Sequence, residues 1–201
     1  MKYNFWNKSV FRLSNIIKER KLDLTEKELV HRAQNGDLDA FKELVNQNES
    51  RIAATITGMI GRCPEAEDIG QETFIRFYQN INHFRAESSV ATYLTRIAIN
   101  LSLNELKRRK RKKLLFPNST EEMLYLKDSD KNTEKLEIND ALQKALVRLK
   151  PKYKKVIVLR LVSGYTTRET AELLSLPEGT VLSRLARGLK KLKQELQILE
   201  N

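Results

Sequence analysis

The chain has 201 residues, room for one or two compact domains, and its few glycines and prolines (7 and 4) among many Leu, Lys, Glu and Arg point to an all-α fold. A net charge of +11 suggests a polyanionic partner, either nucleic acid or an acidic membrane surface. The single cysteine, Cys63, excludes an intrachain disulfide framework or a Cys-rich metal site and fits a reducing compartment, and no apolar run reaches the length of a membrane span.

Residues 1–24 are basic and lack the continuous apolar core of a secretion signal. Trp6, Val10, Leu13 and Ile17 share one helical face, which would suit a membrane-surface or partner-binding helix. The simpler reading, a loosely ordered basic extension, is preferred. Residues 25–113 show helical periodicity throughout. Thr25 followed by Glu28 is a capping box, and a turn is expected at Gln34–Asp37. The next helix carries Ala40, Phe41, Leu44 and Val45. Pro64 opens a third, where its missing N–H costs nothing, with Ile69, Phe74, Phe77 and Ile81 apolar. After the loop Asn82–Ser89, a longer helix is expected to bury Val90, Leu94, Ile97, Ala98 and Leu101 and to end in the cationic run Lys107–Lys113.

Residues 114–135, polar and acid-leaning from Pro117 onward, break the periodicity and read as a flexible linker. Helices resume in residues 136–201. Ile138–Leu149 forms one, and Pro151 opens another with Val156, Leu159 and Leu161 apolar and Gly164 as a left-handed cap. Thr166 and Glu169 make a second capping box, followed by a short helix, a tight turn at Ser175–Leu176, and a long helix opened by Pro177.

Short helix, tight turn, longer helix is the helix-turn-helix layout. Ala171 offers the small residue needed where the two helices cross. Val181, Leu185, Leu189 and Leu192 form a back for packing, while Thr180, Ser183, Arg184, Arg187 and Lys191 form a front suited to phosphates and guanine edges in a major groove. A solvated amphipathic helix is the plainer alternative.

Two further groups are ambiguous from spacing alone. Asp68, Gln71 and Glu72 share one helix face and serve either as carboxylates complementing a helix start or as a docking face for a basic protein partner. Phe84 and Tyr93 either stack on an unpaired base or belong to the core; Arg85, Ser88, Ser89, Arg96, Asn100, Asn104 and Lys107 lie near them in the loop and the helix that follows.

The stretches AEDIGQETFIRFYQNI and VATYLTRIAINLSLNELKRRKR resemble the first domain of bacterial extracytoplasmic-function (ECF) sigma factors, in the sigma-70 family. The stretch LVRLKPKYKKVIVLRLVSGYTTRETAELLSLPEGTVLSRLARGLKKL resembles the second, in the family's order. The resemblance covers roughly residues 24–196 and implies two small helical domains joined by a flexible linker. It implies that Asp68, Gln71 and Glu72 dock on core RNA polymerase. The set Phe84, Arg85, Ser88, Ser89, Tyr93, Arg96, Asn100, Asn104 and Lys107 would recognise and open the minus-ten promoter element. Thr180, Ser183, Arg184, Arg187 and Lys191 would read the minus-thirty-five element, and an anti-sigma factor is the implied regulator.

The chain departs from the family pattern at Gly70, usually aliphatic, at Tyr93, often tryptophan, and at Lys155, often arginine. It departs again at Ser175, often glycine, and at the pair Gly188–Leu189. The rival reading is a free-standing, dimeric helix-turn-helix regulator, whereas a sigma factor alone would be a monomer. No Gly-rich phosphate loop, Ser/His/Asp set or metal-ligand cluster is present, and His31 and His83 lie far apart. The expectation is therefore a cytoplasmic protein, held at the inner membrane if its anti-sigma factor is anchored there, with no enzyme activity, cofactor, metal or small-molecule substrate.

Overall fold

A computed structural model describes residues 25–115 and 134–200. The expected extension over residues 1–24 and most of the expected linker lie outside the described residues. Every regular element among the described residues is helical. The chain divides into two compact units, Met1–Leu44 and Val45–Asn201.

In the first unit, α1 spans Glu26–Gln34. Its start is the expected capping box: Thr25 Oγ1 accepts the Glu28 N–H at 3.3 Å, and Glu28 Oε2 accepts the Thr25 N–H at 2.7 Å. Gly36, at φ +87°, makes the turn that follows. Asp37 Oδ1 then accepts the N–H groups of Asp39 and Ala40, each at 3.0 Å, and so starts α2, Leu38–Ile60.

Helix α2 continues into the second unit, where Ile52, Ile56, Met59 and Ile60 are buried at helical spacing. Helix α3 spans Pro64–Asn80, and a 3₁₀ turn, Ile81–His83, ends it. Helix α4, Val90–Leu115, packs along α3. Its buried set is Val90, Leu94, Thr95, Ala98, Ile99, Ser102 and Glu105. The expected Ile97 and Leu101 are only half-buried, because α4 is covered on more than one side and its interior face turns toward Thr95, Ile99 and Ser102.

Helix α5 spans Glu134–Arg148 and α6 spans Pro151–Ile157. A π-helical turn, Val158–Val162, follows, its wider ring closed by the Ser163 N–H donating to Val158 O at 2.9 Å. That turn breaks the 3.6-residue register. Leu161, expected on the apolar face, is 58% exposed as a result. Gly164, at φ +76°, supplies the left-handed residue after it.

Helix α7, Thr167–Leu174, starts at the second capping box, Thr166 with Glu169. It ends on Ser175 in the left-handed conformation (φ 50°), with the Leu176 N–H donating back to Ala171 O at 2.9 Å. Helix α8, Glu178–Glu200, follows. Ala171, Val156 and Val181 form one core cluster, bordered by Leu174, Leu176 and Leu185. Ala145, Leu146, Leu149, Ile157 and Leu192 form another.

One expectation for α8 needs correcting. Leu189 is 40% exposed, and the buried residue at that level is Gly188. The packing stripe runs 181, 185, 188, 192. A methyl on Gly188 would stand 2.9 Å from Ile157 Cδ1 and 3.3 Å from Tyr153 Cβ, so only a hydrogen fits where α6 and α8 approach.

Candidate nucleic-acid interface

Helix α8 stands on this core and presents its front outward. Arg187 and Lys191 are exposed, and Thr180 and Arg184 are half-buried on the same stripe. Ser183, beside that stripe, is exposed and donates to Thr180 O at 3.1 Å. Lys155 of α6 joins this cationic set. Burial, and then the neighbouring Arg184 charge, lower its pKa. Sequence reasoning noted Lys155 only as a departure from a pattern; its place one turn after Pro151 was the available clue.

Helix α4 presents a second polar stripe. Arg96, Asn100, Asn104 and Lys107 are exposed at spacings of four, four and three, and exposed Arg111 extends the line by another turn. The cationic run at its end is only partly available. Arg108 and Arg109 both clasp the buried carboxylate of Glu105, at 2.6 Å and 2.7 Å. Burial would raise the Glu105 pKa, but these hydrogen bonds outweigh it and hold the carboxyl below its ordinary value. Arg109 also donates to Ile60 O at 3.0 Å and to Cys63 Sγ at 3.0 Å, which pins the base of α4 to the end of α2. Burial pushes the Cys63 thiol up despite that cation.

The loop before α4 has a more structural character than its composition suggests. Phe84 is 8% exposed, with its ring 5.7 Å from Phe77 and 5.1 Å from Tyr93. It thus meets both neighbouring rings in edge-type contacts, and in this arrangement it props the half-buried Tyr93. Ser89 Oγ accepts the Thr92 N–H at 3.1 Å and so caps α4. Ala86 sits at φ 52°, a strained left-handed residue. Arg85 is exposed and Ser88 half-buried.

On α3, Asp68 and Gln71 are exposed, and the half-buried Glu72 accepts from Arg76 Nε at 2.7 Å. Ile75 and Tyr78, both exposed, continue the Asp68–Gln71 stripe at spacings of four and three. Sequence reasoning passed over both, although that spacing was visible. The face is thus acidic at one end and apolar at the other.

Among the described residues, no three His, Cys, Asp or Glu side chains converge as metal ligands, and no helix is long and apolar enough to cross a membrane.

These two striped helices fall in two separate family matches. Residues 44–112 match the family described as Sigma-70 region 2, and residues 139–192 match Sigma-70, region 4. The chain is 31% identical over 187 residues to the ECF RNA polymerase sigma factor SigW of Bacillus subtilis, spanning 89% of this chain and 100% of the relative. The chain belongs to the ECF sigma factors. It is also 32% identical to the ECF RNA polymerase sigma-E factor of Haemophilus influenzae, over 88% of this chain and 97% of the relative.

Among solved structures, this sigma factor shares its fold with RpoE of Bartonella quintana, crystallised with the anti-sigma factor NepR. That match has a TM-score of 0.64 at 20% identity and covers 79% of this chain and 97% of that one. CnrH, in complex with the cytosolic domain of CnrY, matches with a TM-score of 0.62 at 22% identity, over 85% and 96% of the two chains. The region 2 match and the ECF relatives support the sigma-factor reading over the free-standing regulator. The α3 and α4 candidates lie inside that match, and the five α8 candidates lie inside the region 4 match.

Proposed function

We propose that this sigma factor binds core RNA polymerase, directs it to promoters and opens the DNA, with the work divided along the chain. The α3 face, Asp68, Gln71 and Glu72 extended by Ile75 and Tyr78, docks on the polymerase. Residues 25–113 act as the docking and minus-ten module, residues 114–135 as a linker, and residues 136–201 as the minus-thirty-five module. Arg184 and Arg187 read base edges, while Thr180, Ser183 and Lys191 hold the phosphates.

Opening needs no nucleotide hydrolysis if an extruded base is captured. Unstacking costs a few kcal/mol, and aromatic stacking returns about 1–3 kcal/mol per base. Tyr93 and Asn100 are the capturing groups, with Phe84 as the prop beneath Tyr93. Arg85, Ser88, Ser89, Arg96, Asn104 and Lys107 hold the strand around them. The protein is a DNA-binding subunit rather than an enzyme. It works in the bacterial cytoplasm as a monomer until it joins polymerase, and an anti-sigma factor is its natural regulator.

The observation that carries this reading is the pair of polar stripes, on α4 and α8, each lying inside a different one of the two sigma-70 matches. Size-exclusion chromatography of the chain with core polymerase stripped of sigma tests it. Co-elution is expected; elution of the chain as a separate monomer counts against it.

A further inference from the structure

We infer that the cleft between α4, α6 and the end of α7 is a binding site for a small amphipathic anion, a medium-chain aliphatic carboxylate, which competes there with promoter DNA. The competition rests on the sigma-factor reading above; the site itself does not.

Helix α4 lends this cleft one continuous face, Arg96, Ile99, Asn100 and Leu103. Lys155 of α6, Leu159 of the π-helical turn, and Leu173, Leu174 and Ser175 line it from the other side. Its volume is about 330 Å³, near the small end of the ~300–1,000 Å³ typical of ligand pockets. Apolar walls with a few convergent polar groups are the usual make-up of such a pocket.

The polar groups set the sign of the ligand. Arg96 and Lys155 are cations, and no lining residue is a carboxylate. Among the described residues, neither of these two cations has a carboxylate partner. Lys155 is half-buried, and burial, with the neighbouring Arg184 charge, lowers its pKa. A half-buried ammonium beside other cations lacks a counter-charge, which an anion in the cleft supplies.

The walls set the rest of the ligand. Ile99, Leu159 and Leu173 are buried there, and no lining residue is aromatic. A nucleobase therefore finds no ring to stack on. A bare inorganic anion, or a DNA phosphate reaching in from outside, leaves those aliphatic walls uncovered. An aliphatic chain covers them, and its carboxylate suits the planar Arg96 fork and the Lys155 ammonium. The C-terminal end of α7 carries partial negative charge, so the head lies toward Arg96 and Lys155 and the tail toward Leu173. Arg96 and Asn100 are also given to the DNA strand above, so carboxylate and promoter claim the same side chains.

Isothermal titration calorimetry of the full chain with sodium decanoate, below its micelle concentration, tests the site. One saturable site is expected, which acetate, decanol and GMP fail to fill. Methyl NMR should place the largest shifts at Ile99, Leu159 and Leu173. Lys155→Met keeps an apolar stem, removes the charge and should weaken binding roughly tenfold or more. Arg96→Ala, at an exposed position, should do the same and serves if circular dichroism shows the first variant misfolded. No binding, many weak sites, equal binding of decanol or GMP, or wild-type affinity in the folded variants overturns the inference. With core polymerase, decanoate should lower promoter-directed transcription and added promoter DNA should restore it. Transcription indifferent to decanoate, or not restored by promoter, overturns the competition. Transcription without decanoate reports on the sigma-factor reading alone.

Discussion

Helices α4 and α8 carry similar stripes on different supports. Helix α8 has a buried back, Val181, Gly188 and Leu192, and an open front. Helix α4 is embedded: α3 lies along it, Tyr165 is bonded to its Thr95, and Arg109 at its base is committed to Glu105 and Ile60 O. A surface that reads intact duplex can stand open on a small core. A surface that captures unpaired bases gains from rigid backing, because loose aromatic groups would lose ordering entropy at the moment of capture.

The largest effect is expected at the α3 face proposed to dock on polymerase. Asp68→Lys with Glu72→Lys reverses the acidic end of the α3 face, and like charges across an interface cost several kcal/mol. Co-elution with core polymerase should disappear while circular dichroism stays unchanged; retained co-elution would remove α3 from the docking role.

Next come the two stripes. Arg184→Ala or Arg187→Ala should weaken promoter binding by about 1–3 kcal/mol, read as a roughly 5- to 150-fold rise in the holoenzyme's Kd. Tyr93→Ala should leave that Kd nearly unchanged and suppress strand opening, followed by a fluorescent base analogue in the minus-ten element. Equal effects on both assays from both sites would erase the distinction between α4 and α8.

A smaller effect concerns the junction between them. Burial, with the Arg109 charge adding to it, lowers the Lys154 pKa to about 8. The unfolded chain then holds a proton that the folded chain has released between pH 8 and 10.5, so stability from this group rises across that window and is lost again as pH falls through 8. The wild type should gain on the order of 3 kcal/mol over Lys154→Met between pH 8 and 10.5 in denaturant titrations. A constant difference between the two proteins would place Lys154 in water.

The smallest effect is expected at Ser175. Its left-handed backbone costs about 1–2 kcal/mol for a residue with a Cβ, partly offset by glycine's extra freedom when unfolded. Ser175→Gly should therefore raise Tm by a few degrees.

Much of the fold was legible because its signals are local. The capping boxes at Thr25 and Thr166, the helix start at Pro64, the left-handed Gly164 and the small Ala171 at the crossing each act within a few residues. What stayed hidden depends on contacts between distant segments. Lys154 looks like one more cation in a basic run until Met59 O, 95 residues away, supplies its partner. Gly188 displaces Leu189 from the core because α6 comes too close, and Leu161 turns outward because a π-helical turn shifts the register. Phe84 and Ser89 sit in a loop whose composition suggests binding, yet one packs against the Phe77 and Tyr93 rings and the other caps α4. For Asp68, Gln71 and Glu72 spacing gives only a shared face, and the docking role proposed for it comes from the family resemblance.

The most direct measurement is in vitro transcription with purified core polymerase, stripped of sigma, on a library of promoter templates. The account predicts defined start sites that appear only when this chain is added and that disappear when either promoter element is scrambled. Transcripts with no dependence on the chain, or unaffected by scrambling both elements, would contradict it.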